Sequence, residues 1–465
     1  MSEELNHISI ADGADGWARV EALRERYAHS SRPCPVASWF TKRIGLSHMG
    51  VARAAVICLG IERFEMISGS LGSDAARRLL EEIKRRLSET PELTNVVVGP
   101  AYFEIGMAGG DRLTVFIAGV QGERETRAIA SFMWNKVTEP YFLMGHTVHL
   151  TASVGIAVSG DGIQREDLFR DADAALFSAR MNERGRVAMF EPKMRAATIS
   201  RIEMERDLRA GMKRGEFWVA YQPILTMGSG EVDGFEALLR WDHPLRGGIP
   251  PAEFVPIAEE TGLIEELGQF VMDEACRELA RLDEEFGCER FTMSVNVSKR
   301  QLLEQRLVSA TEGALAATGV DAHRLHLEVT ESIVMDHAEH VAPMLTQLRE
   351  LGTRIAMDDF GVGHSSLSCL QQFPLDYLKI DRAFITEMAN NRRHSAVVHA
   401  VIALARDLGM KVVAEGVETI EQVAALKAMA CDLAQGFLFS HPLTPSQLRA
   451  FLQSRASIKQ RVEVA

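Results

Sequence analysis

Positive charge is in deficit: 51 Lys and Arg stand against 64 Asp and Glu, a formal net charge of −13. Holding a nucleic-acid polymer takes clustered Lys and Arg, so a dedicated DNA or RNA surface is excluded. A small phosphate ligand held by metal ions and one or two basic residues is not. Cysteine is sparse and scattered. The six (Cys34, Cys58, Cys276, Cys288, Cys369 and Cys431) include no C-x-x-C pair, which argues against a zinc site or redox motif and for reduced thiols. No uninterrupted apolar run is long enough to span a bilayer. The polar, acidic N-terminus lacks the basic and apolar regions of a signal peptide. Low-complexity tracts and short-period repeats are also missing. The expectation is a soluble cytoplasmic protein with no membrane partner.

What is present reads as globular: 46% hydrophobic and 25% charged residues over 465 positions, enough chain for two or three domains. Residues 1–49 are mixed, with a short amphipathic helix at 17–27 and a break at Ser30-Ser31-Arg32-Pro33-Cys34-Pro35; a flexible or docking segment is expected. Residues 50–193 alternate helix and strand. Strands are expected at 54–61, 113–118 and 150–158, with a closing strand at 187–190. Helices are expected at 74–87, where Ala75, Leu79, Leu80, Ile83 and Leu87 share one side, and at 168–180. A charged linking helix carrying Ile202, Leu208 and Met212 follows at 194–214. Residues 215–455 then alternate apolar runs with helical segments, and 456–465 form a tail.

In that last region, a run of acidic, amide and basic residues falls at the ends of successive apolar runs. They are Glu236, Asn296, Glu328, the pair Asp358-Asp359, Lys379 and Glu415. Catalytic groups gather this way at the C-terminal ends of strands in a βα barrel. One such acid alone is often a helix cap. Many together cost desolvation unless they share a task. Hard oxygen ligands at one mouth predict a divalent-metal site, and a paired Asp-Asp can bridge two ions. The Gly-containing stretch Phe360-Gly361-Val362-Gly363 that follows could close over a ligand.

Residues from about 200 to 455 resemble the EAL domain family of cyclic di-GMP phosphodiesterases. The resemblance rests on Tyr221-Gln222-Pro223-Ile224, Glu236-Ala237-Leu238-Leu239-Arg240-Trp241, Ser294-Val295-Asn296-Val297-Ser298, Glu328-Val329-Thr330-Glu331, Asp358-Asp359-Phe360-Gly361, Leu378-Lys379-Ile380-Asp381, Ala414-Glu415-Gly416-Val417-Glu418-Thr419 and Gln435-Gly436-Phe437. It implies a two-metal site for Mg²⁺ or Mn²⁺. Glu236, Asn296, Glu328 and Asp358 would hold one ion. Asp358 would bridge to a second with Asp359, and Glu415 would complete that side, directly or through water. Lys379 would orient the attacking water. Gln222, Arg240, Glu418, Gln435 and Asp381 would line the substrate pocket, and Glu331 would pin the 358–368 loop. Read without the resemblance, Arg240 could be a surface ion pair, Glu331 a helix cap and Gln435 a satisfied core amide. The chain departs from the family at His364, Val362 and Phe437, none of them a ligand position.

Residues from about 50 to 192 resemble a degenerate GGDEF diguanylate cyclase domain. Fold-level motifs persist in Thr151-Ala152-Ser153-Val154-Gly155-Ile156-Ala157 and Ala172-Asp173-Ala174-Ala175-Leu176-Phe177. The signature reads Gly109-Gly110-Asp111-Arg112-Leu113, so Arg112 stands where an acid would help hold metal and triphosphate. The other metal-binding Asp falls at Gly60, and the guanine-contacting pair at Ser68-Gly69. The domain is expected to fold but not to cyclise.

The fold expected is therefore α/β: a C-terminal TIM-like (βα) barrel behind an N-terminal α+β GGDEF-like domain, an antiparallel-containing sheet flanked by helices. The function implied is hydrolysis of cyclic di-GMP to linear pGpG by a homodimer joined through the barrel. The alternative is a binding effector that holds cyclic di-GMP without turnover and acts through protein partners. A bifunctional cyclase–phosphodiesterase is argued against by Gly60 and Arg112.

Overall fold

The apolar run that opens the N-terminal region forms β1 (Ala54–Ile61), buried along its whole length. Its alternate residues enter two different cores. Ala55, Ile57, Leu59 and Ile61 pack on one side, and Ala54, Val56 and Cys58 on the other. A strand buried on both faces needs apolar residues at every position, which is why the run is continuous. The structure, a computed structural model, describes residues 53–463 except 63, 90–101, 108–110, 160–164, 183–184, 288–289, 305, 362–372 and 389–390. The helix expected at 17–27 lies outside the described residues. The chain divides into two compact units between Arg201 and Ile202.

In the first unit, β2 (Tyr102–Met107), β3 (Arg112–Ala118), the small hairpin β4 (Tyr141–Leu143) and β5 (His146–Val148), β6 (Ala152–Val158) and β7 (Val187–Met189) follow β1. The main sheet has the order β2-β3-β1-β6-β7. Only β6 and β7 pair in parallel; the other neighbours run antiparallel. Helices Ser73–Ser88 and Glu123–Thr138 cover one face and Arg165–Asn182 the other. The last helix lies against the sheet at Gly155. A Cβ there would stand 2.0 Å from the Leu176 amide nitrogen and 2.2 Å from the Ala172 carbonyl oxygen, so any side chain would lever the helix off. The sequence reading has no counterpart for β2, for the β4–β5 hairpin or for the helices Phe64–Leu71 and Glu123–Thr138.

The second unit is the barrel. Its strands are β8 (Phe217–Thr226), β9 (Val232–His243) with the short extension β10 (Gly247–Ile249), β11 (Thr292–Asn296), β12 (Leu325–Thr330), β13 (Arg354–Phe360), β14 (Tyr377–Ile380), β15 (Lys411–Ala414) and β16 (Leu433–Ala434). From β9 and β11 through β16 each strand pairs in parallel with the next. The first strand departs from simple βα alternation: β8 runs antiparallel to both β9 and β16 and closes the ring between them. A parallel return needs a crossover of a dozen residues or more, and only 227–231 separate β8 from β9. The reversal sets Gln222 directly across from Glu236.

Side chains alternate along each strand, so Tyr377, Val413 and Leu433 share a face with Lys379, Glu415 and Gln435, two positions further on. Val413 and Leu433 pack there with Ile224 and Tyr377 as a small apolar plug. The larger core lies among strands and surrounding helices, with Phe235, Phe291, Leu327, Ile355 and Leu378 at 0–1% exposure. From the joining helix Pro192–Arg214, Met204 and Leu208 pack with Phe217, Trp241 and Phe254, while Ile202 is exposed. Fully burying Leu208 contributes about 2 kcal/mol. Buried charges away from the mouth are paired: Arg324 grips Asp283 with two bonds of 2.6 and 2.8 Å, and Arg449 reaches Glu278 at 2.8 Å. Among the described residues no helix is long and apolar enough to cross a membrane. Cys58, Cys276 and Cys431 are free and buried.

Candidate functional site

Lys379, on β14, is 1% exposed. A buried ammonium is costly unless anions surround it, and this one is surrounded. Its Nζ lies 2.6 Å from Glu415, 2.7 Å from Glu328, 3.4 Å from Asp358 and 3.8 Å from Glu236. Four strands thus deliver four carboxylates to one cation. Four carboxyl groups share one ammonium. Burial pushes the Glu328 carboxyl well above the usual range; Lys379 opposes this and the neighbouring acids add to it. Burial likewise outweighs the adjacent ammonium at Glu415 and raises it to about 8. Burial also pushes Lys379 down, but Asp358, Glu236, Glu328 and Glu415 together hold it well above the lysine norm.

Glu236 sits inside β9, which runs on to His243, rather than at the end of its strand. Both its oxygens are held: Asn296 Nδ2 donates at 2.7 Å and Gln435 Nε2 at 2.7 Å. Gln435 Nε2 also reaches Gln222 Oε1 at 3.0 Å, and Gln222 Nε2 donates to the Ser440 carbonyl at 3.2 Å. The two glutamines therefore aim Glu236. Ser440 acts through its backbone, so no residue type in the sequence could have marked it.

The paired acids depend on an irregularity. The β13–β14 register shifts between Met357 and Phe360, and Asp359 adopts left-handed backbone, φ 56. A side-chain-bearing residue there costs about 1–2 kcal/mol, and such strain clusters at functional sites. Asp358 Oδ1 accepts from the Asp359 amide at 2.9 Å. Asp359 is exposed as a residue, but its carboxyl is partly covered, and that partial burial, then Asp358 and Asp381, raises it. Glu331 opens the helix Glu331–Asp336 and accepts from the Gly361 amide at 3.1 Å, which ties down the start of the loop. Val362 and His364 lie outside the described residues.

The other residues expected to line the pocket make local contacts. Arg240 is half-buried and donates to the Leu239 carbonyl at 2.8 Å. Asp381 accepts from the Ala383 amide at 2.8 Å, beside the helix Arg382–Met388. Glu418 is exposed past the end of β15. Phe437, half-exposed, packs against the His441 ring with centres 4.1 Å apart and planes tilted by 36°.

The donor set suits a hard divalent cation. Oε1 of Glu328 and Oε1 of Gln435 are buried with no hydrogen-bond partner, and the carboxylates outnumber the one ammonium among them. Among the described residues no three acidic, imidazole or thiol groups already stand as a metal cage; Lys379 holds the centre. An ion would take over carboxylate oxygens that the ammonium now shares.

A closed barrel with an acidic mouth around a buried lysine, carried behind an α+β unit, defines the class. Residues 205–442 match the family model described as EAL domain, and 41–186 the one described as diguanylate cyclase, GGDEF domain. The chain belongs to the EAL domain family. It is 37% identical over 86% of its length to the cyclic di-GMP phosphodiesterase NbdA of Pseudomonas aeruginosa, covering 50% of that protein. It is 36% identical over 86% of its length to the bifunctional diguanylate cyclase/cyclic di-GMP phosphodiesterase MucR of the same organism, covering 57% of it. The chain thus spans about half the length of these curated relatives. A solved structure, the PaMucR phosphodiesterase in complex with c-di-GMP, superposes with a TM-score of 0.51 at 42% identity, over 53% of this chain and 99% of that one.

Proposed function

We propose that the barrel is a metal-dependent phosphodiesterase that hydrolyses cyclic di-GMP to linear 5′-pGpG. The observation that carries this reading is the excess of carboxylates around Lys379, with Glu328 buried and one of its oxygens unpartnered. Relatives named for the same activity support it. Two divalent ions, Mg²⁺ or Mn²⁺, held by Glu236, Asn296, Glu328 and Asp358 and by Asp358, Asp359 and Glu415, would supply an acidified water and spread charge on the phosphoryl oxygens. Lys379 orients that water and neutralises charge developing beside it. Gln222 and Gln435 keep Glu236 fixed, so its oxygens do not reorganise during reaction. Arg240 offers a planar fork to a phosphate, and Glu418 and Asp381 complete the pocket. The protein acts in the cytoplasm as a homodimer. Its N-terminal unit is catalytically silent and regulates or scaffolds the barrel.

The test is to incubate the purified protein with cyclic di-GMP in Mg²⁺, in Mn²⁺ and in chelator, and to separate the nucleotides. Linear pGpG in the metal-containing tubes alone is expected. Intact substrate throughout, with nucleotide bound, would favour the non-hydrolysing effector. Product formed from GTP would overturn the silence of the N-terminal unit.

Glu331 acts through the Gly361 amide rather than on substrate. Supporting residues of this kind typically contribute about 10–100-fold to metal affinity or activity. Glu331→Ala should lower turnover by about that factor and shift its dependence on metal concentration. A variant with the wild-type metal titration would remove the loop-anchor role.

A further inference from the structure

We propose that Arg180 is a built-in cation that permanently closes the metal position of the N-terminal unit. The GGDEF resemblance implies a divalent ion near Gly60 and the 109–113 signature, and the residues present do not fit one. Arg180 projects from the helix Arg165–Asn182. Its Nη2 donates to Asp111 Oδ2 at 2.8 Å and to the Ile61 carbonyl at 3.4 Å, and its Nε lies 3.4 Å from Glu62 Oε1. Ser153 Oγ donates to the same Glu62 oxygen at 2.7 Å. These are hard, partly anionic oxygens of the kind a divalent ion takes. Here they converge on a guanidinium.

Residue 60 shows how complete the replacement is. A Cβ on Gly60 would lie 2.3 Å from Arg180 Nη2, 2.6 Å from its Cζ and 2.8 Å from its Nε. The guanidinium fills the space that a side chain at 60 would need, so the loss of the acid and the place of Arg180 are two halves of one arrangement. A second guanidinium stands alongside: Arg112 pairs across the strands with Gly60 and reaches Asp173 at 3.1 Å. An arginine never gives up its charge in a protein, and a chelator cannot remove it. The consequence is a unit whose central strands are held by an internal cation and are indifferent to divalent ions.

Hydrogen exchange of the full chain tests this, read on peptides covering 54–61 and 112–118 and hence apart from whether the barrel hydrolyses anything. The wild type should exchange equally in chelator and in excess Mn²⁺ at these peptides. Arg180→Met removes the guanidinium that faces Asp111 and Glu62, so exchange should rise about tenfold in chelator and fall back when Mn²⁺ is added. Arg180→Lys keeps a charge and should stay close to wild type. Protection of the wild-type peptides by Mn²⁺, or wild-type exchange in Arg180→Met, would overturn the proposal. Should Arg180→Met not fold at all, Arg180→Lys decides: a protected lysine variant supports the built-in cation, and an unfolded one overturns it.

Discussion

Glu236→Ala is expected to lower turnover of cyclic di-GMP by about a thousandfold, roughly 4 kcal/mol of transition-state stabilisation. The size follows from the position of the side chain. Glu236 is 7% exposed, and both oxygens are aimed by amides from Asn296 and Gln435. Alanine removes a proposed metal ligand, takes the acceptor from the Asn296 amide and leaves Gln435 with Gln222 alone. The fold should survive, because Lys379 keeps Glu328, Asp358 and Glu415. Glu236→Gln separates shape from charge: it fills the same space, so it should unfold like wild type yet share the loss of turnover and of metal affinity. Nucleotide separation after timed incubation reads the first effect and metal titration the second. Either variant turning over at the wild-type rate would place the reacting centre elsewhere in the barrel.

Much of this arrangement was legible because strand ends and motifs coincide. Glu328, Asp358, Lys379 and Glu415 each follow or close an apolar run, and the structure brings all four together. The runs 54–61 and 113–118 stand out for the same reason, since strands covered on both faces are apolar almost throughout, with Thr114 the exception. β2 did not stand out, because Glu104 and Gly106 break its pattern at the edge of the sheet.

What stayed hidden belongs to long-range geometry. The bond from Gln435 to Gln222 joins residues 213 apart, and that from Arg180 to Ile61 residues 119 apart. Motifs named Gln222 and Gln435 as pocket residues; only the reversed β8 shows that they also hold Glu236. The register shift at Met357–Phe360 lies inside an ordinary-looking strand sequence. The short link between β8 and β9 was the one local sign that the barrel begins with a hairpin.

Lys379→Met should separate the structural from the chemical use of the buried ammonium. In chelator, the variant leaves the carboxylates of Glu236, Glu328, Asp358 and Glu415 with no cation among them. Breaking a buried pair by removing one partner costs about 3–5 kcal/mol, and the barrel should lose about that much in urea unfolding. The loss should grow with pH. Glu328 and Glu415 are raised by burial, Glu415 to about 8, so between the ordinary carboxylate range and that value the fold keeps protons the unfolded chain has released. More protons on the folded state means stability falls as pH rises, and without the ammonium both groups move higher still. Divalent metal should reverse most of the destabilisation, since an ion supplies the missing charge. Turnover should stay low, because no other cationic side chain among the described residues comes within ion-pair distance of these carboxylates. Stability regained without turnover would assign Lys379 to the reaction as well as to the fold. Turnover regained together with stability would reduce it to a placeholder for the metal. A variant as stable as wild type in chelator at every pH would mean that the four acids are already protonated, and that the charge excess inferred around Lys379 does not exist.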